Sequence, residues 1–182
     1  TYPHSVSRGR KPMKAIRTLV ALLLITASSA VIAKVMLPRI QCNLAKGRIN
    51  REVKRVARSG AEYRRTVRAR RNVAECRRFL KIFPQDHQLH MLLGANLRLL
   101  GSLDEAVESF ERALALTERP EIYAQIGELE IERGNIEAGR AAVTKAATFH
   151  MPYVETIAEP LRTEIYKTVI ARYERLRASA KK

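Results

Sequence analysis

The hydrophobic and polar pattern of the chain changes character three times. From Thr18 to Ala33 it reads TLVALLLITASSAVIA, sixteen positions without a charge, with Lys14 and Arg17 before and Lys34 and Arg39 after. If Lys34 reaches outward and the run continues through Leu37, about twenty residues and roughly 30 Å of helix result, the length of a bilayer crossing. Residues 46–86 are dominated by arginine. From 87 to 146, apolar and small residues recur at helical spacing, with glycines at 94, 101, 127 and 134. After Pro152, Leu161, Ile165, Thr168/Val169, Arg172 and Leu176 keep a helical register, and Pro160 suits the start of a helix. The pattern predicts an all-α protein. A basic tail (1–17) leads into a transmembrane helix (18–38), a linker (39–52) and a helical-repeat domain (53–182), which is a short α-solenoid of helix pairs with a C-terminal capping helix.

The repeat shows when Gly94 is placed over Gly127, a spacing of 33 residues. HQLHMLLGANLRLLGSLDEAVESFERALALTER then lies over PEIYAQIGELEIERGNIEAGRAAVTKAATFHMP. Gly101 falls on Gly134, Leu103 on Ile136, Ala106 on Gly139, Phe110 on Val143 and Ala113 on Ala146. Small residues at such positions let two helices close on each other, with larger apolar ones filling the seam. The arrangement resembles the tetratricopeptide repeat, a unit of about 34 residues forming two antiparallel helices. The resemblance is specific over 87–146. It is degenerate over 53–86, where Gly60, Tyr63 and Pro84 fit but no turn residue separates two helices. That stretch reads either as a divergent first unit or as one long basic helix. The resemblance fades again over 153–178, where a helix with a polar outer face would seal the end of the array.

The resemblance also implies a partner groove lined by the first helix of each unit. Carried over by position, that groove comprises Gln88, Met91, Ala95, Arg98 and Leu99, then Glu121, Ala124, Glu128, Ile131 and Glu132. Its mixed apolar and acidic character suits an apolar or basic segment of another protein. Met91 and Ala95 stand where some members carry a carboxylate clamp, which disfavours a chaperone-tail adaptor. His90 occupies a place often held by a large aromatic, Glu130 replaces an apolar residue, and Gly139 weakens a helix interior relative to Ala.

Composition and charge sharpen this reading. Hydrophobic residues make up 46% of the chain, aromatics only 5%, and Trp is absent, as suits helix-on-helix packing of Leu, Ile, Val and Ala. The net charge of +16 is unevenly spread. Residues 46–81 hold fourteen Lys/Arg and three acids, whereas 87–151 hold six against ten. Like charges one turn apart on a helix repel, so Arg64, Arg65, Arg68, Arg70 and Arg71 are expected to dock an acidic partner or an anionic leaflet. The stretch lacks the aromatic interleaving that stacks nucleic-acid bases, which ranks nucleic acid below lipid.

No phosphate loop, nucleophile motif or metal-ligand spacing stands out, so no enzyme activity, cofactor or metal is expected. His87 and His90 make at most half a metal site. Cys42 and Cys76 are too few for a disulfide scaffold or a zinc site; they are either small buried hydrophobes or one disulfide in an oxidising space. The expected function is a non-catalytic, membrane-anchored repeat scaffold that assembles or stabilises a larger membrane complex. Its partners would be other protein subunits and the lipid bilayer. The expected location is single-pass in a bacterial or organellar inner membrane, with the repeat domain on the translocated side. Two alternatives stand beside it: anionic-lipid or nucleic-acid binding through 46–81, and a secreted or periplasmic adaptor released by cleavage after Ala30 or Ala33. Because the apolar run is present in the chain, the retained anchor is the preferred expectation.

Overall fold

A computed structural model describes the backbone of residues 12–56 and 62–180 and the side chains of 30–55 and 63–180. Among these residues there are seven α-helices and no strand: α1 (Pro12–Val56), α2 (Glu62–Leu80), α3 (His87–Leu99), α4 (Leu103–Leu116), α5 (Pro120–Glu132), α6 (Ile136–Phe149) and α7 (Leu161–Ser179). A short 3₁₀ turn, Met151–Val154, leads from α6 towards α7. The chain divides into two compact units, residues 1–44 and 45–182, so α1 contributes its last turns to the second unit.

In the second unit, helices consecutive in sequence pack as neighbours from α2 through to α6, and α7 packs on α6. This is the sequential packing of a helical-repeat array. The repeat is geometric as well as compositional. Both α3 and α5 have thirteen residues, both α4 and α6 have fourteen, and each pair starts 33 residues after its counterpart. The turns match as well. Gly101 and Gly134 take φ of +76° and +84°, a left-handed conformation that costs glycine little and other residues much. The amide of Gly101 donates to Arg98 O and that of Ser102 to Leu97 O, both at 3.0 Å; Gly134 donates to Ile131 O and Asn135 to Glu130 O. This double bond pattern closes the orphan carbonyls at each first helix's end. The helix pairs therefore reverse direction in the same way twice.

Inside each pair the small residues do what the sequence pattern requires. A Cβ built on Gly94 would stand 2.7 Å from the Phe110 ring and 3.1 Å from Ala106 O. The larger core gathers Ile49 of α1, Val73 and Cys76 of α2, Leu93 and Leu97 of α3, Phe110 of α4 and Ile122, Ile126 and Leu129 of α5. A second cluster, Val143, Ala147, Val154, Ile157, Ile165 and Val169, closes the far end beneath α7. Of the α7 register, Ile165 and Val169 are buried, whereas Leu176 is exposed. Ile136, the counterpart of Leu103, is also exposed.

Two expectations are corrected here. Among the described residues no helix is long and apolar enough to cross a membrane, which overturns the expected single-pass membrane placement. The described side chains of α1 begin at Ala30, and from there Lys34, Arg39, Lys46, Arg48, Arg51, Lys54 and Arg55 interrupt any apolar run. The tail 1–11 and the side chains of most of the expected anchor lie outside the described residues. The linker expected over 39–52 is helical throughout, because the stretch carries helix formers and a single glycine, Gly47, in place of turn chemistry. Over 53–86, the structure has the end of α1 and then one unbroken helix, α2. Without a glycine between Glu62 and Leu80, nothing divides it.

Candidate functional site

Two surfaces carry the residues singled out from the sequence: the adjacent faces of α3 and α5, and the outer side of α2. On the first, Arg98 of α3 reaches across to α5. Its Nη1 donates to Glu128 at 2.6 Å, and its Nε and Nη2 donate to Glu132, at 3.3 Å through Nε. Nη1 also lies 3.5 Å from Gln125 Oε1. Burial alone would lower the guanidinium's proton affinity, but the hydrogen bonds it donates to the two carboxylates raise it above its ordinary value. Glu128 takes a further hydrogen bond, 2.9 Å, from the Thr156 hydroxyl.

Glu128 and Glu132 thus share the single positive charge of Arg98, so the neighbouring unit already offsets part of the negative charge expected to attract a basic partner. Glu121 pairs with Arg119 at 2.5 Å. Ala124 is only 3% exposed and lies inside the fold, beyond the reach of any ligand. Met91 and Ala95 pack against the larger core, and Ile131 against the second cluster. Leu99 is half-buried, and Gln88 alone of the α3 set is fully open. Position transfer thus brings these ten residues to neighbouring helices, but spends most of them on holding the units together.

The second surface differs. On α2, Ala69, Asn72, Val73, Cys76 and Phe79 form the buried stripe. Arg65 belongs to this stripe by helical spacing (65, 69, 72, 76) and is half-buried, with its Nε enclosed and without a hydrogen-bond partner among the described residues. It therefore leaves the proposed docking set. Arg64, Arg68 and Arg71 line one flank of the helix at i, i+4, i+7, and Arg70 lies on the other; all four are exposed. Between the flanks runs a ridge of Tyr63 (81% exposed), Val67 (51% exposed) and Ala74. None of these four arginines forms an ion pair among the described residues. Arg77 and Arg48, by contrast, are paired with Glu105 and Glu75.

Three polar features were not legible as such. Asn72 Nδ2 donates to Asn96 Oδ1 at 3.1 Å, and Asn96 Nδ2 donates to Leu92 O at 2.7 Å, a buried amide pair between α2 and α3. Glu130, nearly buried, accepts from Arg133 at 2.7 Å and Asn135 at 2.6 Å, pinning the turn around Gly134. Asp86 caps α3 by accepting from the Leu89 amide at 3.1 Å and pairs with Lys46 at 2.8 Å. Burial pushes the Asp86 carboxyl up, but the Lys46 and Leu89 hydrogen bonds outweigh this and hold it below its ordinary range. Only the cap residue type was a usable signal, because the other partners lie far apart in sequence.

Both cysteines are buried. Among the described residues no group of three or more His, Cys, Asp or Glu is placed to hold a metal ion. No family model matches the chain, and no curated protein matches it.

Proposed function

We propose that this protein is a non-catalytic interaction scaffold of tetratricopeptide-like helix pairs, which holds an acidic protein partner through the outer face of α2. The observation that carries the reading is the repeated helix pair. Two units of equal length, closed by left-handed glycines and sealed at small-residue contacts, build a rigid helical surface. The partner's chemistry follows from α2. Four exposed arginines without ion pairs among the described residues want carboxylates, and the Tyr63–Val67–Ala74 ridge between them wants apolar side chains. An acidic amphipathic helix supplies both. A bare polyanion would leave the ridge uncovered, which ranks nucleic acid lower.

The test is gentle affinity purification of the full chain from its native cells, beside a variant with Arg64, Arg68, Arg70 and Arg71 replaced by Gln. The expected outcome is stoichiometric co-purification of an acidic subunit with the wild type, weakened at least tenfold in the variant, with helical content unchanged. A wild-type protein that runs as a lone monomer, or a variant that retains its partner at wild-type levels in high salt, overturns the reading.

A further inference from the structure

On the side of the array formed by the end of α2, the loop to α3 and the end of α4 lies a cavity of about 550 Å³, within the range of small-molecule sites. Its walls are apolar: Leu80, Pro84 and Leu116, the last 38% exposed. Its rim carries Arg77, Lys81 and Arg112. Arg77 and Arg112 are engaged by Glu105 and Glu108, each at 2.6 Å, whereas Lys81 makes no ion pair among the described residues.

His90 also lines the cavity. The residue is only 6% exposed, and its Nε2 lies 2.9 Å from Pro84 O. A carbonyl only accepts, so Nε2 carries the proton. Nδ1 is enclosed and has no hydrogen-bond partner among the described residues, so the ring is held in the cavity wall through Nε2 alone.

We infer that this cavity binds a small amphipathic carboxylate, its aliphatic part between Leu80, Pro84 and Leu116 and its carboxyl group between Lys81 and Arg112. The apolar walls account for the chain of the ligand and the cationic rim for its charge. This site shares no residue with the α2 face proposed for the protein partner, although Arg77 continues the flank of Arg70 two turns on. The same chemistry is carried by a free medium-chain fatty acid and by the C-terminus of a peptide ending in leucine.

Titration of the full-length protein, followed by NMR of the histidine rings and backbone amides, tests the inference. Decanoate and decanol form one arm; a short leucine-terminated peptide, as free acid and as amide, forms the other. The carboxylate of at least one arm should shift His90 and the Lys81 and Leu116 amides, and should bind about tenfold more tightly than its uncharged counterpart. The arm that does so identifies the source. A variant with Lys81→Gln and Arg112→Gln, both solvent-facing and safe for folding, should lose about tenfold in affinity for the acid and little for the neutral compound. Equal binding of acid and neutral forms, shifts away from the cavity, no binding in either arm, or wild-type affinity in the double variant each overturns the assignment.

Discussion

Gly127 and Gly139 face each other across α5 and α6 so closely that neither position has room for a methyl group. A Cβ on Gly127 would stand 2.9 Å from Gly139 O and 2.4 Å from a Val143 methyl; one on Gly139 would stand 2.8 Å from Gly127 O and 2.6 Å from Ile131. Gly139 is therefore the contact that lets the second helix pair close, which the helix-propensity argument against it misses. Alanine in its place would gain about 1 kcal/mol of helix propensity. Overpacking against backbone atoms that cannot move aside would outweigh that gain.

Gly127→Ala and Gly139→Ala should each destabilise the protein by about 2 kcal/mol in urea unfolding. Gly94→Ala should cost less, because its nearest obstacle is the Phe110 ring and the closest backbone atom is 3.1 Å away. Gly101→Ala meets nothing within 4 Å and should cost only the strain of a left-handed residue, about 1 kcal/mol. If Gly139→Ala stabilises the protein, the close approach of α5 and α6 is wrong.

The buried amide pair gives the next test. Asn72→Ala leaves Asn96 Oδ1 inside the core without a donor, whereas Asn72 and Asn96 both changed to Leu remove the polar atoms together. The single variant should lose about 1–3 kcal/mol, the cost of an orphaned buried group. The double variant should recover part of that loss in the same thermal or urea measurement. A double variant as unstable as the sum of both singles would mean that shape, and not hydrogen bonding, fixes this contact.

How much of this was legible follows from what each position has to satisfy. The helix pairs were readable because a left-handed turn and a close helix contact each demand one residue type at one place, as at Gly101 and Gly134 or at Gly94 and Gly127. The continuity of α2 was half-visible, in the missing turn residue between Glu62 and Leu80. The groove was not, because its fate depends on how α3 lies beside α5. That relation brings Arg98 to Glu128 and Glu132, residues 30 and 34 apart in sequence, and no local pattern encodes it. Arg65 was misplaced for a simpler reason: in a helix this rich in arginine, charge hides the buried stripe that the spacing 65, 69, 72, 76 reveals.

The Arg98 bridge has its own test. Its side chain is 27% exposed, and those of Glu128 and Glu132 are 17% and 41%, so part of the attraction is screened by water. Arg98→Gln should leave the two carboxylates facing each other and cost about 1 kcal/mol. Adding Glu128→Gln should restore part of the loss, because it removes the uncompensated charge. No recovery in that double-mutant cycle would show that the two residues do not interact.

The last prediction concerns acid. Asp86 caps α3 and pairs with Lys46 of α1, and its carboxyl is held below the ordinary aspartate range. A group whose folded value is depressed stabilises the fold fully above its unfolded value and loses that contribution as pH falls through the folded one. Its contribution should therefore be constant at neutral pH and disappear as pH drops from about 4 downwards. Asp86→Asn isolates the charge, because an asparagine carbonyl still caps the Leu89 amide while its attraction to Lys46 is gone. At neutral pH the variant should be less stable by about 0.5–1 kcal/mol, the discounted value of a partly exposed pair. The gap should narrow progressively as pH falls below the ordinary aspartate range, and should narrow with added salt. A gap that stays constant across the acid range would mean that Asp86 acts only as a cap. The bridge to Lys46 would then contribute nothing to holding the last turns of α1 against α3.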